Sequence, residues 1–226
     1  MNIPRPELPP LPARMKSLPV VRGYPVPWFV QWIEGEPEFR IMDGQKLVRA
    51  VRDRLCWVCG QSLGAHLAFT IGPMCAVNRI SAEPPSHREC SIFSARGCPF
   101  LTRPAMRRRE HDYPDDAQKP GGIMLDRNPG VALVWITKRY TVIPQRKQSP
   151  LFRIGDPLDV LAFAHGAPAT KDEIRASVLS GLPALFEAAD PQGPAAVEEL
   201  NTEVLAACTL LKIPPFPHMY PTLQPE

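Results

Sequence analysis

The spacing of apolar and polar positions divides the chain into segments of different character. Apolar positions are sparse over residues 1–27, where eight prolines predict an extended arm, because proline fixes φ and removes a backbone donor. Two apolar runs follow on either side of Glu34-Gly35-Glu36-Pro37, which predicts a β-hairpin. A helix is predicted next, with Asp43 as its N-cap and an inward face formed by Leu47, Val48, Val51 and Leu55.

Beyond the middle of the chain, continuous runs of β-forming residues predict a small sheet. The run "VALVWIT" at 131–137 is bounded by Asn128-Pro129-Gly130 and by charged residues, which is typical of a buried strand. A weaker strand is predicted from Tyr140 to Ile143, with a partner strand from Leu151 to Ile154. The polar segment "MRRREHDYPDDAQKPGG" before these strands is predicted to be a loop.

From Asp156 onward the pattern predicts helices. Asp156-Pro157 would begin a helix through Phe163 that Gly166 closes. Thr170 and Glu173 are spaced as a capping box, and Gly181 is expected to end that second helix. A last helix should begin at Pro194 and bury Val197, Leu200, Val204 and Leu205, with Cys208 as a small core residue.

These segments together predict one α+β protein. We expect an extended arm over residues 1–27, a zinc-finger-containing body over 28–155, and a helical segment over 156–226 that packs on the body. With 226 residues, of which 44% are hydrophobic, the chain can bury a substantial core. The net charge of +3 is too small to indicate a class of partner by itself.

The placement of the cysteines is the main chemical signal. The first residues carry no apolar core of a signal peptide, and no apolar run approaches the roughly 18 residues of a membrane span. We therefore expect a cytoplasmic protein without a membrane partner, in which thiols stay reduced. Five of the six cysteines lie between Cys56 and Cys98, and such crowding in a reducing compartment indicates metal rather than disulfides.

Four of the residues in this region have the spacing of a zinc site. "CWVCG" offers Cys56 and Cys59 from a tight turn, in which Gly60 supplies the backbone freedom that the turn needs. "SHREC" offers His87 and Cys90 three positions apart on the first turn of a helix capped by Ser86 and Glu89, and side chains at this spacing face the same way.

The predicted cofactor is a Zn²⁺ ion held by these four residues. A closed four-ligand site stabilises a fold rather than catalysing a reaction. Two alternatives stay open at this level, because Cys75 could replace His87 and Cys98 could replace Cys90.

The region of roughly residues 55–98 resembles a treble-clef zinc finger, a knuckle followed by a hairpin and a helix. The resemblance implies that "HLAFTIGPM" provides the hairpin strands and that the helix carries the last two ligands. The wider stretch, including "PGGIM", "NPGVALVWIT" and "GDPLDVLAFAHGAPAT", is similar to a group of bacterial and phage-associated proteins of no established activity. Treble-clef fingers perform many functions, so the fold alone does not identify one.

A cluster of arginines suggests a partner for a non-enzymatic binding module. Seven arginines lie on and just beyond the finger, against only Glu83 and Glu89, and guanidinium groups hold phosphates and carboxylates with two hydrogen bonds. Nucleic acid or an acidic protein surface is the expected partner. The arginines are Arg79, Arg88, Arg96, Arg103, Arg107, Arg108 and Arg109.

The alternative function is a nuclease of the His-Asn-His type, which is built on the same fold. It would use His66 as general base, together with Asn78 and His87. Ala65 stands where such enzymes carry an acidic residue, and His87 cannot serve both a structural zinc and a catalytic metal.

Overall fold

The computed structural model describes residues 4–103, 106–107, 128, 130–146 and 148–216, and the chain is mixed α and β. Its helices are α1 (Gly44–Arg52), α2 (Pro73–Asn78), α3 (Arg88–Gly97), α4 (Pro99–Thr102), α5 (Lys171–Ala189) and α6 (Pro194–Leu211). Its strands are β1 (Val20–Val21), β2 (Tyr24–Pro25), β3 (Val30–Ile33), β4 (Glu36–Met42), β5 (Leu67–Ile71), β6 (Ile80–Ser81), β7 (Ala132–Thr137), β8 (Tyr140–Ile143), β9 (Leu151–Ile154), β10 (Asp159–Ala164) and β11 (Ala167–Pro168).

A four-stranded antiparallel sheet in the order β11-β10-β7-β5 forms the centre of the protein. Every residue of β7 is buried, which confirms the strand predicted from "VALVWIT". Such a strand is apolar on both faces because both faces are covered. Ala132 and Val134 face α3, whereas Leu133 and Trp135 belong to the main core with the C-terminal helices.

The predicted helix from Asp156 to Gly166 is wrong, because this segment forms β10 and β11. β10 pairs with β7 over five residues, with Leu161 opposite Val134, and His165-Gly166 turn the chain at φ 53° and 78°. The apolar residues of "DVLAFA" complete the sheet in this way. The ladder of hydrogen bonds to β7 outweighs a local preference for helix.

The second helix of this region is longer than predicted. Thr170 and Glu173 form the predicted capping box at the start of α5. The expectation that Gly181 ends the helix is wrong, because α5 continues through Gly181 and Pro183 to Ala189. A Cβ at Gly181 would lie 2.5 Å from Cγ of Met74, so the glycine permits the close approach of α5 to α2.

Two smaller sheets match the predicted pairings. β3 and β4 form the expected hairpin, with Glu34-Gly35 at its turn, and β8 pairs with β9 in the order β6-β9-β8. Asp43 caps α1 as predicted, because its Oδ1 accepts hydrogen bonds from the backbone amides of Gln45 (2.9 Å) and Lys46 (3.1 Å). Two residues predicted to face inward do not, since Val48 is 62% exposed and Leu205 53% exposed. Leu200, Val204 and Cys208 of α6 are buried as predicted.

The proline-rich arm lies on the protein over the residues that the structure describes. It contains a short 3₁₀ helix at Ala13–Met15 and the β1–β2 pair. Met15 is fully buried, and Leu8, Leu11 and Leu18 are partly buried beside it. The arm therefore covers apolar surface of the body. The proposed division of the chain at residues 27 and 155 stays a prediction. Among the described residues, no helix is long and apolar enough to span a bilayer.

Candidate metal centre

The first half of the centre is the tight turn at Cys56–Gly60. The backbone amide of Gly60 donates to the carbonyl of Cys56 (2.8 Å), and the amide of Cys56 donates to the carbonyl of Gln61 (2.7 Å). Gly60 has φ 73°, and a Cβ there would meet the ring of Trp28 at 2.6 Å. Glycine is therefore required at this position for both conformation and space.

The second half of the centre is the start of α3. His87 is the N-cap residue of this helix and Cys90 lies in its first turn. The predicted capping box of Ser86 and Glu89 is wrong. Ser86 instead forms a β-bridge with Ala68, while the carboxylate of Glu89 accepts a hydrogen bond from Arg14 Nε at 3.0 Å.

The structure brings Cys56, Cys59, His87 and Cys90 together in one buried cluster that can hold a metal ion. Their candidate ligand atoms all lie within 4.8 Å of one another. His87 Nδ1 is 3.4 Å from Cys59 Sγ and 4.0 Å from Cys90 Sγ. Tetrahedral zinc with Zn–S near 2.3 Å and Zn–N near 2.0 Å places such atoms about 3.6 Å apart. The cluster thus has the dimensions of a tetrahedral site.

The imidazole of His87 is oriented by a backbone carbonyl. Its Nε2 lies 3.0 Å from the carbonyl oxygen of Ser62. Since that oxygen can only accept, a hydrogen on Nε2 satisfies it, and Nδ1, which faces the cysteines, is the nitrogen that would bind a metal ion. A carbonyl behind a metal-binding histidine is a common arrangement in metalloproteins.

Hydrogen bonds within the cluster already favour one thiolate. The thiols of Cys59 and then Cys90 hold the pKa of Cys56 far below its ordinary value, with help from backbone amides. Those amides belong to Cys59 and His87 and lie 3.4 and 3.3 Å from the sulfur of Cys56. The neighbouring sulfur of Cys56 raises the pKa of Cys59 to about 11 and also raises that of Cys90. Three clustered thiols cannot all ionise without a cation to compensate their charge.

The region does not reproduce the hairpin that the treble-clef resemblance implied. β5 is followed directly by α2, which begins at Pro73, and β5 pairs with β7 instead. Proline suits the first position of a helix, because its fixed φ is already helical and its missing N–H leaves no donor unsatisfied there. The expectation that "HLAFTIGPM" forms two strands is therefore wrong.

The alternative ligands lie outside the cluster. Cys75, within α2, and Cys98, at the end of α3, are partly buried and do not join the four residues above. Burial raises the pKa of the Cys75 thiol to about 11.

The nuclease alternative gains no support from the described residues. His66 is exposed, and the carboxamide oxygen of Asn78 accepts a hydrogen bond from the amide of Ile80 in a local turn. Nδ1 of His87 faces the sulfur of Cys59, and its Nε2 faces the carbonyl oxygen of Ser62, so both nitrogens have partners other than His66 and Asn78, with which a shared catalytic site would bring them together.

The arginines of the proposed binding surface have different environments. Arg88, Arg103 and Arg107 are exposed, and Arg96 donates from Nε to the carbonyl of Gly166 at 3.2 Å. Arg79 lies apart from the others, because its guanidinium stacks over the ring of Trp135. Arg108 and Arg109 lie outside the described residues, as does most of the predicted loop before β7.

Sequence reasoning missed the contribution of the arm to this centre. Met15 packs in one cluster with Cys56, Cys59 and Cys90. A signal was present, because four of the apolar residues of the arm, Leu8, Leu11, Met15 and Leu18, recur every three or four positions. The carbonyl of Ser62 has no comparable signal, since any residue could supply it.

Comparisons with protein families, with curated proteins and with solved structures found no match to this chain. The similarity to bacterial and phage-associated proteins is not supported by them, and the Cys₃His cluster is the finding that indicates metal binding.

Proposed function

We propose that Cys56, Cys59, His87 and Cys90 bind one structural Zn²⁺ ion and that the chain is a non-catalytic binding module. The observation that carries the proposal is the convergence of three sulfurs and one imidazole nitrogen within 4.8 Å in a buried position. Three thiolates and one imidazole are the donors that zinc prefers in structural sites.

The ligand set explains why the role is structural. Four protein donors fill a tetrahedral coordination sphere, so no position remains for water or substrate. The donors also come from two segments, the turn at residues 56–60 and the start of α3, and both contact the arm. One ion would therefore join these two segments, and the arm packs against both of them.

The metal proposal is tested by measuring zinc content and thermal stability together. Wild-type protein should contain one zinc per chain, and a Cys56→Ser plus Cys90→Ser variant should lose both the ion and thermal stability. Cys98→Ser is the matched control, because Cys98 lies outside the cluster at the N-cap of α4, where serine is favourable. Full zinc stoichiometry in the double variant would contradict the ligand assignment.

The partner that we propose is nucleic acid, or else an acidic protein surface, at the exposed arginines beyond the cluster. The support is the exposure of Arg88 and Arg103 together with the local excess of arginine in the sequence. Binding to duplex DNA and to single-stranded RNA should be measured at several salt concentrations. A protein that neutralises phosphates loses affinity steeply as salt increases. Absence of any binding to either polymer would leave the acidic protein surface as the partner to test.

A further inference from the structure

A cleft separate from the cysteine cluster lies between α2, β9 and α6. It is open to solvent and has a volume of about 400 Å³, toward the lower end of small-molecule sites, and Val77 and Ala206 contribute apolar wall. It lies on the face of β7 that carries Trp135, whereas α3 packs on the opposite face. The proposed zinc function uses none of the residues that line this cleft.

The chain holds the side chain of Arg79 in a defined orientation at this cleft. Arg79 ends α2 in the left-handed conformation at φ 57°, and its carbonyl accepts a hydrogen bond from the amide of Ile154 at 2.8 Å. Its guanidinium carbon lies 4.5 Å from the centre of the Trp135 ring. The indole is itself fixed, because its Nε1 donates to the carbonyl of Gly155 at 2.9 Å. A stacked guanidinium keeps its N–H edge available to an anion.

The charges around the cleft have both signs. Arg79 and Arg153 supply two cations, and Asp156 and Glu203 supply two anions. Arg79 approaches Asp156 at 3.5 Å, but that carboxylate is 97% exposed, so the pair is hydrated and weak. Among the described residues, Arg153 and Glu203 form no ion pair.

Glu203 is also less solvated than an ordinary surface carboxylate. Burial raises its pKa, and the neighbouring Glu199 adds to this, whereas Arg153 and Arg79 act in the opposite direction. A donor that approached Glu203 in the cleft would therefore meet a partly desolvated acceptor close to two guanidinium groups.

We propose that this cleft binds a small zwitterion of the α-amino acid class, with its carboxylate on Arg79 and Arg153 and its ammonium group on Glu203. A simple anion would be attracted by the arginines but repelled by Glu203 and Asp156. A simple cation would be attracted by these two carboxylates but repelled by the arginines. A molecule that carries both charges matches the lining at both ends. The apolar wall then receives the side chain of the ligand.

The test is a binding measurement with the full chain and defined probes. The twenty standard L-amino acids serve as zwitterions, acetate as the anion alone and methylammonium as the cation alone, all followed by calorimetry or ligand-detected NMR. We expect at least one amino acid to bind and both single-charge probes to bind at least about tenfold more weakly. Arg153→Gln and Glu203→Gln should each weaken the amino acid by about tenfold or more.

Two further variants distinguish the loss of a ligand contact from a general loss of folded structure. Arg79→Gln removes the stacked guanidinium and could also affect packing, so zinc content and thermal unfolding are recorded with it. Arg153 is exposed, which makes Arg153→Gln independent of that concern, whereas Glu203 is half-buried, so thermal unfolding is recorded with Glu203→Gln as well. Arg52→Gln is the control, because Arg52 lies at the end of α1, pairs with Asp53 and does not line the cleft. Absence of amino-acid binding, acetate binding as tightly as the amino acid, or affinity unchanged in Arg153→Gln and Glu203→Gln would each overturn the proposal.

Discussion

Truncation of Met15 tests how the arm and the metal centre depend on each other. The side chain of Met15 is 1% exposed and packs with Cys56, Cys59 and Cys90. The neighbouring Arg14 donates hydrogen bonds to Gln61, directly after the turn, at 3.2 Å and to Glu89 of α3 at 3.0 Å. Met15→Ala therefore opens a cavity directly against the cluster while it leaves these polar contacts in place.

The expected loss follows from the burial of the side chain. Truncation of a buried methionine to alanine costs about 2–5 kcal/mol of unfolding free energy. We expect about 2–3 kcal/mol here, because partly buried leucines of the arm can settle into the space. In a domain of this size that loss lowers the melting temperature by roughly 4–12 °C. If the arm must open before the ion leaves, release should be accelerated by up to about 30-fold for 2 kcal/mol.

The assay combines thermal unfolding with the rate of zinc transfer to a chromogenic chelator. Lys16→Ala is the matched control, because Lys16 follows Met15 directly and is exposed. It should change the melting temperature and the release rate little. Wild-type values for Met15→Ala in both measurements would refute the conclusion that the arm covers the centre.

The remaining predictions concern regions outside the metal centre. Thr170→Ala removes the capping box with Glu173 and should cost about 1 kcal/mol in urea denaturation, whereas the exposed Thr209→Ala in α6 should cost less; equal effects would contradict the capping role. The pKa of Cys75 is raised from 9.0 to about 11, so the folded state binds its proton more tightly than the unfolded state does. This contribution to stability is present below pH 9 and is lost as the pH rises from about 9 to about 11. Cys75→Ala should therefore lose less stability than wild type over that interval, and parallel pH profiles would disprove the assignment.

Features with a local chemical cause could be predicted from the sequence. The capping box at Thr170 needs only two residues three positions apart, and the hairpin at Glu34-Gly35 needs only a turn between two apolar runs. The cluster followed from ligand types and spacing, because few other roles fit two such pairs in one segment. In each case the deciding interaction lies within a few residues of the signal.

Features decided by distant contacts were not predictable in the same way. "DVLAFA" is compatible with helix or strand, and only the free edge of β7 makes it a strand. β5 likewise pairs with β7, far along the chain, and therefore needs no hairpin partner of its own. α5 continues past Gly181 and Pro183 because Leu182 and Phe186 are both buried in the main core. Tertiary burial outweighs two local signals that usually end a helix.

The small size of the cluster is a physical argument for the proposed metal ion. Residues 53–66 contain no helix or strand, and ordering their backbone costs about 14–28 kcal/mol. Four buried apolar side chains hold this segment besides the cysteines, and each contributes about 1.5–3 kcal/mol: Trp57 in the main core, and Met15, Val58 and Phe93 in the cluster. A structural zinc site would add about 10–16 kcal/mol. With that contribution, the stabilising free energy comes within a few kcal/mol of the cost of ordering the backbone. If the proposed ion is removed, the residues around the cluster should lose their order before the main core does, and Trp57 is the residue that ties this segment to that core.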